Sequence, residues 1–146
     1  MKIKHDDARV QRVIEAFETL QSENLARLGE LYAPGATFKD PFNDVAGTPA
    51  IQRVFAHMFN ALESPRFVIR SALAQGNDAF LCWDMHYRMR RFLSEPQSIR
   101  GATHLRFAPD GRVVMHRDYW DAAEELYEKL PLIGALMRWL KKRANA

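Results

Sequence analysis

Residues 99–120 read Ile-Arg-Gly-Ala-Thr-His-Leu-Arg-Phe-Ala-Pro-Asp-Gly-Arg-Val-Val-Met-His-Arg-Asp-Tyr-Trp. Apolar and polar side chains alternate on either side of Pro109-Asp110-Gly111, a hairpin turn sequence, so Ile99 to Phe107 and Arg112 to Trp120 are predicted to be antiparallel neighbours. The period of two extends backwards through Ala79 to Phe92 and, before the turn Gln75-Gly76-Asn77-Asp78, through Phe67, Ile69, Ser71 and Leu73. Glu95-Pro96 breaks the connection that follows Phe92. The second half of the chain is thus expected to be an antiparallel meander.

Upstream the period changes to that of helices. Val10, Val13, Ile14, Phe17 and Leu20 follow Asp6 and Asp7, which suit a helix N-cap, and predict a helix over 7–21. Leu25, Leu28, Leu31 and Tyr32 predict a short second helix stopped by Pro34-Gly35. Thr48 as cap and Pro49 at the first helical position open a third, with Ile51, Val54, Phe55, Met58, Phe59 and Leu62 on one face, halting at Ser64-Pro65. Between helices two and three, Ala36 to Asp40 reads as a short strand pairing at the sheet edge. Asp121 and Glu124 form a capping box for a last helix, interrupted at Pro131. The order describes an α+β domain: a cone-shaped, curved, mostly antiparallel sheet with the N-terminal helices on its concave face and a cavity at the wide end.

Composition narrows the classes. The 146 residues, 47% hydrophobic and 27% charged, suit a single domain, and no apolar run reaches the roughly 20 residues that span a bilayer. Met1 to Asp7 lacks the apolar stretch of a signal peptide, and the lone Cys82 precludes an internal disulfide, so a cytoplasmic protein is expected. The net charge of +3 owes much to Arg138, Lys141, Lys142 and Arg143; without these four, 17 cations face 18 acids. That balance argues against a nucleic-acid-binding face. His5, His57, His86, His104 and His116 fall in no metal-binding pattern, and no phosphate loop or nucleophile motif is present, so no metal and no cofactor are expected.

Leu31-Tyr32-Ala33-Pro34-Gly35-Ala36-Thr37-Phe38-Lys39-Asp40-Pro41-Phe42, with Leu105-Arg106-Phe107 and the Gly111-Arg112 to Tyr119-Trp120 stretch, resembles the ketosteroid isomerase and SnoaL-like superfamily, also called nuclear transport factor 2-like. The resemblance covers about residues 8–125 and leaves 121–146 as a helical extension. The superfamily hosts isomerases, polyketide cyclases, epoxide hydrolases, dehydratases and binding domains, so fold alone does not set the activity. The resemblance implies that Asp40 is the general base of the isomerase type. It also implies that the isomerases' tyrosine and protonated aspartic acid, their oxyanion donors, are replaced by Phe17 and Thr103, so efficient steroid isomerisation is not expected.

Strand alternation adds a second set. His116, Asp118 and Trp120 share one face, which the resemblance turns towards the pocket, making Asp118 and His116 further acid–base candidates beside Asp40. Phe17, Tyr32, Phe38, Phe55, Phe59, Trp83, Thr103 and Trp120 are the expected substrate-binding wall for a small hydrophobic or carbonyl-bearing molecule. Other readings stay open at this level: Asp40 as the organiser of its turn, Asp118 paired with Arg117 or Arg100, His116 as a hydrogen-bonded strand residue, and Tyr32 as core. Trp83, Met85, Tyr87 and Met89 are expected to face inward; the opposite parity would bring in Asp84 and His86. A homodimer is expected, because a sheet with helices on one side leaves its other face to be covered. The extension's Leu126, Leu130, Leu132, Ile133, Leu136, Met137, Trp139 and Leu140 are expected to cover the chain's own domain or dimer rather than a membrane.

Overall fold

The structure is a computed structural model in which residues 2–91 and 95–145 are described. Phe92 and Ser94, where the second strand and its connection were expected to meet, lie outside the described residues. The elements are α1 (Ala8–Glu18), a 3₁₀ turn (Ser22–Arg27), α2 (Leu28–Leu31), β1 (Tyr32–Lys39), β2 (Asp44–Ala46), α3 (Thr48–Ala61), β3 (Leu62–Gln75), β4 (Asp78–Met89), β5 (Gln97–Phe107), β6 (Val113–Tyr119), α4 (Ala122–Glu125), a 3₁₀ turn (Tyr127–Lys129) and α5 (Pro131–Ala144). One six-stranded, curved and unclosed sheet has the order β2-β1-β6-β5-β4-β3. All neighbours are antiparallel except β1 and β6. This is the α+β architecture expected from the alternation and helical periods.

Helices α1 and α3 close one face of the sheet. Val10, Val13, Ile14 and Phe17 of α1 and Ile51 and Phe55 of α3 are buried. Against them lie Tyr32, Phe38, Leu81, Trp83, Leu105 and Val113, each inward by strand alternation. Asp7 starts α1: its Oδ1 accepts from the backbone N–H of Arg9 at 2.9 Å, and its carboxylate also receives the Arg9 guanidinium at 3.1 and 2.7 Å. That side-chain hydrogen bond from Arg9 brings the Asp7 carboxyl down to about 2.

Several boundaries differ from the sequence reading, each for a local reason. Helix one ends at Glu18, because Thr19 leaves helical geometry. The second helix is mostly a 3₁₀ turn held by Asn24, whose side chain accepts from Gln21 N–H and donates to the Thr19 carbonyl. Tyr32 opens β1 opposite Val113 instead of closing that helix; the clash that proline imposes on the preceding residue already favours extended backbone at Ala33. The strand expected at Ala36 to Asp40 is therefore longer and lies one place in from the edge, which the unforeseen β2 occupies. Gly47, with φ +90°, takes the cap position assigned to Thr48, a conformation open to glycine. Helix three gives way to β3 at Leu62, and Ser64-Pro65 forms an irregularity in pairing with β4, Ser64 having φ +50°.

The C-terminal extension departs further from expectation. The Asp121 side chain caps α4 by accepting from Glu124 N–H at 3.1 Å. Helix α5 is then seated through Gly134, where a Cβ would collide with the Glu128 carbonyl, and through Arg138, which donates to that same oxygen. This seating uses the glycine and arginine side of the helix, so Leu132, Ile133, Leu136, Trp139 and Leu140 are exposed, Leu132 at 87%. Within one chain α5 leaves these five of the eight residues expected to cover the domain exposed, while Met137 and, ahead of the helix, Leu126 and Leu130 are half-buried. No helix among the described residues is long and apolar enough to cross a membrane.

The register also stacks a large ring on a residue without a side chain. Trp83 of β4 pairs with Gly101 of β5, and a Cβ on Gly101 would fall 2.5 Å from the indole Cζ2 and Cη2. Replacing Gly101 by Ala is expected to cost roughly 1–3 kcal/mol through overpacking, measured by urea denaturation, with loss of near-ultraviolet tryptophan ellipticity. Asp7→Ala is expected to cost about 0.5–2 kcal/mol at neutral pH. Because folding depresses the Asp7 value, its contribution is present above the unfolded value near 4 and disappears as pH falls to the folded one, so the gap to wild type narrows between about pH 5 and about pH 2.

Candidate functional site

Strand register sets the site. Leu81, Thr103 and Asp118 form one row across β4, β5 and β6, while Phe38, His116 and Leu105 form the next across β1, β6 and β5. Inward parity therefore brings Thr103, His116 and Asp118 together beneath α1 and α3. The parity expected for β4 also holds: Trp83, Met85 and Tyr87 are buried, and Asp84 instead meets Arg70 at 2.7 Å.

A chain of hydrogen bonds links these side chains. The Trp83 indole Nε1–H donates to Thr103 Oγ1 at 2.8 Å, and that hydroxyl donates to Asp118 Oδ1 at 2.6 Å. His116 Nε2 lies 2.7 Å from the same Oδ1, and its Nδ1 lies 2.8 Å from the Tyr32 hydroxyl. Proton positions follow from counting donors. Tyr32 is fully buried, and its phenol pairs only with His116 Nδ1 among the described residues. If that nitrogen carried a proton, the phenol proton would have no acceptor. The arrangement that pairs every group has Tyr32 donating to Nδ1 and His116 Nε2–H donating to an ionised Asp118. Burial, with the Asp118 charge adding to it, pushes the Tyr32 phenol well above its ordinary value and keeps it a donor.

Asp118 Oδ2 has no partner among the described residues, and the side chain is 16% exposed. It borders a cavity of about 220 Å³ whose wall includes Phe38, Phe55, Phe67, Trp83, Met85 and Trp120. Phe42 rims this cavity, its ring packed edge-on against Trp120 and Tyr127, and Leu126 completes the wall from the segment after α4. A second void of about 20 Å³ adjoins it, bounded by Phe17, Thr103, His116 and Asp118. Phe17 and Phe38 pack on the His116 ring at 5.5 and 4.7 Å.

Asp40 borders the same cavity, but its carboxylate is turned into its own loop. Oδ1 accepts from Phe42 N–H, Asn43 N–H and the Asn43 amide at 2.8, 2.6 and 3.0 Å, and Oδ2 takes a further bond from that amide at 3.1 Å. This is the turn-organising arrangement that an aspartate before proline offers. Phe59 packs against the core without lining either void, and Tyr32 lies behind His116. Neither arginine weighed as an Asp118 partner reaches it: Arg100 bonds Glu125 at 3.3 Å and Arg117 lies over the Tyr119 ring. Phe67, Ile99, Met58, Asn43 and Tyr87 line the cavity without having been read as site residues. The alternation that turned Trp83 inward carried the same signal for Tyr87 two residues on. Among the described residues no group of three or more His, Cys, Asp or Glu side chains is placed to hold a metal ion.

Comparison with known proteins agrees with this architecture. Residues 10–116 match the family model of the SnoaL-like domain. Similar solved structures include a protein of Catenulispora acidiphila with a ketosteroid isomerase-like fold, crystallised with trimethylamine: 20% identity, 87% of this chain and 96% of that one, TM-score 0.74. A candidate SnoaL-like polyketide cyclase from Jannaschia shares 14% identity over 85% and 94% of the two chains, TM-score 0.70. AclR of Streptomyces galilaeus, a candidate hydroxylase, shares 16% over 88% and 94%, TM-score 0.66. No curated protein matches the sequence. At these identities the structures establish a shared fold, and the family match over residues 10–116 establishes that the chain belongs to the SnoaL-like domain family.

Proposed function

We propose that this protein is a cofactor-free acid–base enzyme of the isomerase or cyclase type acting on a small, largely apolar carbonyl compound, with Asp118 as its base. The observation that carries this reading is the Asp118 carboxylate: one oxygen is held by Thr103 and His116, and the other is unpartnered at an aromatic cavity. A base must have a free lone pair and a fixed direction, and this arrangement supplies both. The cavity, about 220 Å³, falls below the roughly 300–1,000 Å³ of pockets for drug-sized ligands, which favours a small substrate.

In this reading the proton beside the substrate carbonyl passes to Asp118 Oδ2, the C–H electron pair moves into the enolate, and the proton returns to the same or a neighbouring carbon. His116 and Thr103 hold the carboxylate in place, and His116 is a positioning residue because its two nitrogens are already engaged. The alternative of water addition, as in epoxide hydrolysis, calls on a second free carboxylate. Asp40, its natural candidate, already accepts four hydrogen bonds within its loop. A purely ligand-binding role is the remaining reading and is an outcome of the same test.

In deuterated buffer, wild-type protein is expected to accelerate exchange of the benzylic α-protons of 2-tetralone, a bicyclic ketone, followed by proton NMR. Asp118→Asn should lower the rate by at least about a hundredfold. Asp84→Asn, which removes a carboxylate from the outer face, should leave it unchanged. Exchange that is undiminished in Asp118→Asn would contradict the assignment of the base. A wild-type protein that binds the ketone without exchanging it would be a binding domain.

A further inference from the structure

Among the buried side-chain polar atoms of the described residues, the Tyr87 hydroxyl alone lacks a hydrogen-bond partner. Tyr87 stands on β4, four residues beyond Trp83 on the same face, and lines the cavity that Asp118 borders. Its side chain is 4% exposed. Leaving a buried hydroxyl unpaired forfeits its hydrogen bonds to water with no return, and native structures rarely accept it without a reason. Leu62, Ile99 and Leu126 of the same wall carry no side-chain acceptor, Met58 and Met85 carry only weakly accepting thioether sulfurs, and Asp40, Asn43, His57 and Asp118 make no hydrogen bond with it. Glu125 is near enough for its charge to add to burial in pushing the phenol above its ordinary value, yet its Oε1 accepts from Arg100 and its Oε2 lies 4.0 Å from Lys129. The phenol is thus a protonated donor with nothing to donate to.

The other polar groups of the wall restrict what the missing acceptor can be. Among the described residues no lysine or arginine lines the cavity, whose titratable groups besides Tyr87 are Asp40, Asp118 and His57. An anionic ligand would meet two carboxylates with only the His57 imidazole set against them. An ammonium group has no lone pair with which to accept the phenol proton. A neutral carbonyl oxygen satisfies both conditions.

We propose that Tyr87 is the ligand's hydrogen-bond donor, its hydroxyl donating to the carbonyl oxygen of an uncharged, largely apolar ketone bound in the Asp118 cavity. This deepens the function proposed above and rests on it for the class of ligand. It also gives the site a donor on an element other than helix α1 and strand β5, which carry Phe17 and Thr103, the positions at which the isomerase resemblance places its donors. As charge grows on the oxygen during proton abstraction, a donor already fixed in a dry wall needs no reorganisation.

The test compares 2-tetralone with tetralin, the same bicyclic skeleton without the oxygen, in wild type and Tyr87→Phe. Binding is read by tryptophan fluorescence, and hydrogen bonding by the infrared carbonyl stretch of the bound ketone. Wild type is expected to prefer the ketone by about tenfold, with a carbonyl band shifted to lower frequency. Tyr87→Phe should abolish most of that preference and return the band towards its position in an apolar solvent. The unliganded variant should unfold at the same or a higher temperature than wild type, because an unpaired donor is removed. A preference and band unchanged in Tyr87→Phe would overturn the proposal, as would a wild type with no ketone preference. A marked loss of stability in the unliganded variant would also overturn it, by showing that the hydroxyl is paired within the protein. These readouts are independent of exchange: loss of exchange in Asp118→Asn with Tyr87→Phe like wild type upholds the base and removes the donor, whereas a Tyr87-dependent preference without exchange does the reverse.

Discussion

A carboxylate placed among phenylalanines and tryptophans has to be held by hydrogen bonds, because isolating a charge from water costs far more than any single contact returns. Asp118 meets this condition through Thr103 and His116, and each of those is fixed in turn, Thr103 by the Trp83 indole and His116 by the Tyr32 phenol. The chain draws on β1, β4, β5 and β6, so the order of the sheet and its register are part of the chemistry of one side chain. The parallel pairing of β1 with β6 matters most here. It sets Phe38 opposite His116 and brings Tyr32, at the start of the same strand, to the ring nitrogen farthest from the cavity.

Alternation was enough to read much of this. The period of two in residues 99–120 placed His116, Asp118 and Trp120 on one face, and the apolar parity of residues 83–89 turned Trp83 inward. Periodicity could not show that Thr103 and Asp118 would be directly opposite. That depends on the pairing across the Pro109-Asp110-Gly111 hairpin, where the register shifts between Arg106 and Phe107. Nor could it place Tyr32, whose helical spacing with Leu28 and Leu31 suited either a helix end or the strand start that Pro34 favours. Asp40 shows the same limit in another form. An aspartate before proline reads equally as a base or as a turn organiser, and only the positions of the Phe42 and Asn43 N–H groups decide where its lone pairs go.

The extension shows how an amphipathic pattern can mislead about direction. Eight large apolar residues predict a buried stripe, but burial also needs the helix to present that side to something. In α5 the close seat of Gly134 on the Glu128 carbonyl, reinforced by Arg138, leaves five of the eight turned outward. Small residues decide contacts that hydrophobicity alone does not, as Gly101 does beneath the Trp83 ring. Residues 117–146, α5 among them, lie outside the segment matched by the family model.

The hold on Asp118 turns on the direction of the protons between Tyr32, His116 and Asp118, and long-range proton–nitrogen correlation NMR on histidine-labelled protein reads it directly, the His116 signals being assigned by their absence in His116→Gln. At neutral pH His116 is predicted to be a neutral imidazole with its proton on Nε2 and an unprotonated Nδ1 accepting from Tyr32. A proton on Nδ1, whether in the other tautomer or in the imidazolium, would leave the buried Tyr32 phenol without an acceptor and would contradict the account of how Asp118 is held.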